Sequence, residues 1–252
     1  MKRNKNPFFF SFLAFLILSC SSSDSEEDNS VSLVETTLES DLNNREFVID
    51  NVIACAASNE DPSITSVYVY PREGVTNISY YETESLAFDK NDFSTYIKGE
   101  GDLLPFFNGF LLKYEIRPEQ EKWVIVTFEE EGAIHISNPI RLKQISKPTE
   151  YLPQNVIVAS NSIMPIFTWQ DGTFDDTAIY FQGLTTATND ILSATYTFEK
   201  TFQYYKLDNV VLNVTEQEPP NLVVGTDYGF TLLAVSEDNW VNLFSEILFK
   251  VE

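Results

Sequence analysis

The chain is poor in the residues that usually carry chemistry. It has one histidine, two cysteines, two methionines and nine glycines in 252 residues. A zinc site of the usual kind needs several His or Cys ligands, and this chain cannot supply them. A Ser–His–Asp site would have to use His135, and no Gly-x-Ser-x-Gly elbow exists to present its serine. His135 stands between Ile134 and Ile136 in an alternating run, so it is expected to point away from them towards a polar edge. Nine glycines form no phosphate-cradling loop. Basic residues are scarce too: 16 Lys and Arg stand against 38 Asp and Glu, for a formal charge of −22. That field repels phosphate backbones and anionic headgroups, which disfavours nucleic acid as a partner. No cofactor is expected, and no enzyme. The carboxylates are too many for a pair of them to mean much by count, so a carboxylate-based hydrolase is kept only as a weaker alternative.

Long apolar runs are also missing, with one short exception at the start. Lys2, Arg3 and Lys5 precede an apolar stretch from Phe8 to Leu18. It falls well short of the roughly 20 residues that a membrane-crossing helix needs. A basic head, a short apolar run and a small residue at its end are the layout of a secretory signal peptide, over residues 1–19. The run ends in Ile17-Leu18-Ser19-Cys20, which resembles the lipobox of bacterial lipoproteins. That resemblance implies cleavage before Cys20, diacylglycerol on its sulfur, and a membrane-lipid partner through the acylated cysteine. Each buried methylene of such chains contributes about 0.8 kcal/mol, and more than one chain makes the anchor durable.

Residues 20–34 begin Cys20-Ser-Ser-Ser-Asp-Ser-Glu-Glu-Asp-Asn-Ser30. A stretch this polar buries too little to offset its ordering entropy and is expected to be a flexible tether. Its acidic part, Ser23 to Asp28, resembles the export signal that sends lipoproteins of Bacteroidota-type bacteria to the outer face of the outer membrane. With Cys20 used for lipid, Cys55 is left without a disulfide partner. It lies in Val52-Ile-Ala-Cys-Ala-Ala57, where a cysteine acts as a small buried hydrophobe.

The remainder reads as strands. Alternation recurs in 66–70, 110–116, 122–128, 133–137, 178–182, 194–198 and 228–235, and nothing sustains a helical period. The fold class is therefore all-β, with two tandem immunoglobulin-like or fibronectin type III-like sandwiches over 35–147 and 148–252. Pro148 and Pro153 mark a stiff linker between them. In the second half, Leu222-Val-Val-Gly225-Thr-Asp-Tyr228-Gly-Phe230-Thr-Leu232 is similar to the E–F corner of fibronectin type III domains. Ile166-Phe-Thr-Trp169 and Thr177-Ala-Ile-Tyr-Phe181 look like that family's B and C strands. The resemblance implies that the Tyr228 hydroxyl bonds to backbone a few residues upstream.

Four features are candidate sites. The loops Asp89–Asp92 and 171–176 place oxygens where turn chemistry is the expected role and calcium the alternative. Asp176-Thr177-Ala178 resembles the short O-glycosylation acceptor of Bacteroidota, with Thr177 as the modified residue. Tyr196, Phe198, Phe202, Tyr204 and Tyr205 are either core rings or a sugar-stacking platform. Trp240, in the loop after the 228–235 strand, is the single best candidate for a contact residue. The sandwich fold, the lipid anchor and the lack of a catalytic constellation favour a non-enzymatic module that binds another envelope protein, one specific form being an accessory subunit of an outer-membrane complex for uptake, secretion or barrel assembly. Glycan binding in a polysaccharide-uptake system is the alternative.

Overall fold

The computed structural model describes residues 36–252, which form one compact unit. The residues expected to form the signal peptide, the lipidated Cys20 and the acidic tether lie outside the described residues.

The chain opens with α1 (Leu38–Leu42), a single short helix. Thr37 caps it, its hydroxyl accepting the Ser40 N–H at 3.1 Å, and Asn44 at φ 59° ends it. Ten strands follow: β1 (Phe47–Val52), β2 (Ala54–Ser58), β3 (Thr65–Val69), β4 (Thr76–Glu82), β5 (Ile97–Lys98), β6 (Leu103–Phe106), β7 (Leu111–Ile116), β8 (Trp123–Glu130), β9 (Ala133–Ser137) and β10 (Ile140–Arg141). They make two facing sheets, ordered β1-β9-β8-β4-β5 with β10 also on β8, and β2-β3-β7-β6. Period-two alternation sends Val67, Val69, Tyr114 and Ile116 from one sheet against Val124, Val126 and Phe128 from the other. The opposite face of β8 and β9 is covered as well, because Leu38 and Leu42 of α1 pack on Ile125, Ile134 and Ile136. β1 differs: among the described residues it stands at the end of its sheet and pairs with β9 alone, in parallel.

Nine more strands follow: β11 (Glu150–Tyr151), β12 (Val156–Ser160), β13 (Ile166–Trp169), β14 (Thr177–Thr186), β15 (Ile191–Thr197), β16 (Thr201–Gln203), β17 (Val210–Asn213), β18 (Asp227–Ser236) and β19 (Val241–Lys250). One sheet runs β11-β19-β18-β14-β15-β17 and the other β12-β13-β16. Between them Phe167 stacks on Phe230 at 3.8 Å, with Trp169 and Tyr180 beside them. Two tandem β-sandwiches are thus the architecture. The corner is present too, since Val223 N–H donates to the Tyr228 hydroxyl at 3.0 Å, and Gly225 takes φ 82° in the turn between.

The segment joining the sandwiches is not a free spacer. Thr149 N–H donates to Ser58 Oγ at 2.7 Å, and its hydroxyl accepts the Ser58 N–H at 3.0 Å and donates to the Val241 carbonyl at 2.8 Å. One buried threonine therefore binds both halves, and β11 immediately after it joins β19 as an edge strand. The proline-marked linker is stiff chiefly because it is hydrogen-bonded on both sides.

Candidate functional site

The junction between the sandwiches is where the surface carries most information. Strands β14 and β18 are buried on both faces. Their inner faces build the second sandwich's core. Their outer faces set Phe181, Leu233 and Val235 against Ala57, Tyr68, Phe107 and Leu111 of the first. The β18–β19 hairpin then reaches across. Ala56 N–H donates to the Asn239 carbonyl and Arg141 N–H to that of Asp238, both at 3.0 Å. Trp240 follows into the first sandwich's core, 0% exposed, with its indole N–H on the Lys147 carbonyl at 2.7 Å.

Trp240 is therefore not a contact residue for an outside partner. The loop that carries it is roofed by the other sandwich, so its ring fills a hydrophobic site within the chain itself. Ion pairs border the same junction. Lys143, itself nearly buried, meets Asp238 at 2.7 Å, and Lys147 meets Asp176 at 2.6 Å. Burial alone would raise the Asp176 pKa, but Lys147 and Asn242 outweigh it and hold the carboxyl below its usual range. A lowered carboxylate pKa means stability present above the ordinary value and lost as pH falls through the folded one. Asp176 is half exposed, so Asp176→Asn is expected to cost only about 0.5–1 kcal/mol at pH 7. Urea midpoints of the two proteins should converge as pH falls through the lowered pKa of Asp176.

Beside the junction the two sandwiches leave a groove of two adjoining hollows, of about 560 and 370 Å³, that share Ile53, Arg72 and Leu212. Its apolar lining includes Tyr70, Phe110, Ile179, Tyr196 and Val235. Cys55 also lines it, and burial pushes its thiol up to about 12, so it stays a neutral, poorly nucleophilic group. Acidic residues stand along the groove: Asp50, Glu73, Glu216 and Glu218. The one cation, Arg72, is already engaged. It grips Glu130 with two bonds, of 3.0 and 2.6 Å, donates to the Asn51 carbonyl at 2.9 Å and lies over the Phe128 ring. The open charge of the groove is negative.

His135 belongs to this same network. Its ring stacks on Phe128, with Nδ1 2.7 Å from Asn51 Oδ1. It points away from Ile134 and Ile136 and helps hold the end of β1 in place.

The groove opens onto β1, since Asp50, Asn51 and Val52 line it. Here the apolar surface is uncovered: Phe47 is 46%, Val48 37% and Ile49 56% exposed. Three consecutive exposed apolar residues on a sheet-end strand are what soluble proteins ordinarily blunt. The sequence signal for them was a run without alternation between Glu46 and Asp50.

The other candidates fall elsewhere. Asp89 Oδ1 accepts the Asn91 N–H, and Asp92 Oδ1 caps a short 3₁₀ turn through Ser94. Asp171 accepts the Tyr180 hydroxyl and pairs with Lys200. These are turn and pairing roles, and among the described residues no three His, Cys, Asp or Glu gather as a metal site. Thr177 begins β14, partly buried, with its hydroxyl accepting from Asn242 at 3.3 Å. The five rings make no common platform. Phe202 and Tyr204 are core, Tyr196 packs at the junction, the Tyr205 hydroxyl binds Glu218, and Phe198 alone is mostly exposed, at 65%. Asp61, Glu115, Glu129, Glu130 and Asp190 sit below the usual carboxylate range, held there by hydrogen bonds from Ser63, Lys113, Arg45, Arg72 and Asn108. That is the wrong direction for a general acid.

Neither a family model nor a curated protein matches the chain. Among solved structures it is similar to a biofilm associated protein, BSP domain, at 14% identity and a TM-score of 0.27, covering 79% of this chain and 29% of that one. It is also similar to the FN1–FN3 domains of chicken CNTN1, at 15% identity and a TM-score of 0.28, covering 82% and 68%. The chain thus spans about three tenths of the biofilm protein's length. At such identities and scores, what those proteins do says nothing about this one.

Proposed function

We propose that this chain is a non-enzymatic binding module, held on the outer membrane through an acylated Cys20 and facing outward on its acidic tether, that engages another envelope protein through the junction groove and the edge of β1. The observation that carries this reading is the contrast across one surface. Large apolar side chains, Trp240 included, are buried to lock the sandwiches together, while Phe47, Val48 and Ile49 a short way along the groove stay uncovered. An apolar patch left open on a rigid, strongly acidic body is the mark of a protein-contact face. Sugar binding finds less support, because stacking needs coplanar exposed rings and only Phe198 of the five is largely exposed.

Affinity capture from membranes solubilised in mild detergent, using the full chain tagged at its C-terminus, tests the reading. A stoichiometric envelope protein is expected to co-purify, and charge-neutral substitutions of Phe47 and Ile49 by serine should release it. Recovery of the chain alone under the mildest conditions would contradict the proposal.

A further inference from the structure

The uncovered edge has a definite chemistry. Glu46 C=O accepts the Ile134 N–H at 2.9 Å, so residue 46 turns its backbone groups towards β9. Along a strand these directions alternate, which aims the N–H and C=O of Phe47 and Ile49 outward, to the side of β1 where no strand pairs among the described residues. Asp50 then adopts φ 56° and ends the regular edge. What remains, at the start of β1 and running into the register irregularity between Val48 and Val52, is a short template for one more strand, with apolar side chains on both faces.

Charge decides what fits it. The cations nearest in sequence are spent within the fold, Arg45 on Glu129 at 2.7 Å and Arg72 on Glu130 at 2.6 Å. Among the described residues neither Glu46 nor Asp50 has a basic side chain within salt-bridge distance. The edge therefore reads as an apolar triplet between two unpaired carboxylates. A second copy of the chain, adding antiparallel about Val48, would set Glu46 opposite Asp50 twice, and like charges in facing positions are destabilising. Two bodies of this net charge repel each other as well. A strand with lysine or arginine on either side of apolar residues meets none of these costs and pairs both carboxylates.

We infer that β1 accepts an extended, basic–apolar–basic segment of a partner polypeptide by strand addition, the sheet's open edge supplying the hydrogen bonds and Glu46 and Asp50 the selectivity. This rests on the binding function proposed above and names the class of partner and its mode.

The test uses fluorescence anisotropy of the full chain with two labelled ten-residue peptides. One alternates valine and threonine with lysines flanking the centre; the other has glutamate in place of each lysine. The lysine peptide is expected to bind at least tenfold tighter, with affinity falling as salt rises. Glu46→Lys combined with Asp50→Asn, the second chosen because Asn tolerates the positive φ, should abolish or reverse that preference. Ile49→Pro removes an outward N–H without costing a ladder bond and should weaken binding of the lysine peptide at least tenfold. Should that variant fold poorly, a lysine peptide N-methylated at alternate residues makes the same test from the ligand side and should bind at least tenfold more weakly than its parent.

Absence of binding by the lysine peptide, equal binding of both peptides, or undiminished binding after N-methylation would overturn the inference. So would a wild-type dimer in sedimentation that Ile49→Pro makes monomeric. Membrane capture separates the two claims. A partner retained by the Ile49→Pro protein would sink strand addition and leave the binding function standing, whereas no partner for the wild type would sink the function itself.

Discussion

Trp240→Ala is expected to lower the stability of the chain by about 4 kcal/mol, the middle of the range for deleting a large buried aromatic ring. The ring contributes to a core that is not its own sandwich's, so the damage should appear in the first sandwich, more than ninety residues upstream of the substitution. Two losses combine. The first core keeps a cavity between sheets that cannot collapse, because β2 and β10 are held by their own ladders. The Lys147 carbonyl loses the indole N–H that satisfies it, which costs a further fraction of that total. Trp240→Phe should recover part of the volume and none of the hydrogen bond, giving an intermediate loss. Urea unfolding followed by tyrosine and tryptophan fluorescence reads both. A loss below about 1 kcal/mol for the alanine protein would mean that the loop is not docked as described.

Leu233→Asp should be at least as damaging, at more than about 4 kcal/mol, and for a different reason. Leu233 belongs to neither inner core. It is 2% exposed on the outer face of β18, where it meets the first sandwich. The side chains it packs with in that cluster are aliphatic and aromatic and offer a carboxylate no charge partner. The cheapest escape from a buried unpaired charge is for the sandwiches to part, which would let water in and expose Phe181, Val235 and Phe244 together. The expected result is a protein whose halves melt separately and which binds a hydrophobic dye. If the variant still melts as one unit near the wild-type temperature, the junction contributes little.

Much of this architecture was legible beforehand because alternation is a local property. β3, β7, β8, β9 and β18 fall where the pattern placed them, and the corner motif located Tyr228 and the Val223 hydrogen bond's neighbourhood. What was not legible depends on which surface meets which. Trp240 follows Glu237, Asp238 and Asn239, a polar context that reads as an exposed loop. Its burial comes from docking against a sandwich that no local pattern describes. Pro148 and Pro153 suggested a spacer, yet Thr149 between them carries the information, through partners ninety residues away. The aromatic cluster was ambiguous because the turn between β15 and β16 resets the parity: Phe202 and Tyr204 go inward, and Phe198 at the end of the preceding run goes out. The candidate contact surface at β1 escaped notice since a non-alternating run of three apolar residues looks like any buried strand.

The proposed binding at the groove presupposes that its two walls do not move relative to each other, so the interlock is the claim on which that proposal stands. Differential scanning calorimetry of the wild-type chain tests it most directly. One cooperative transition is expected, with calorimetric and van 't Hoff enthalpies equal, because the first sandwich's core contains a side chain of the second. Two resolved transitions, each the size of a single sandwich, would show that the halves fold independently and that the groove between them is not a fixed surface.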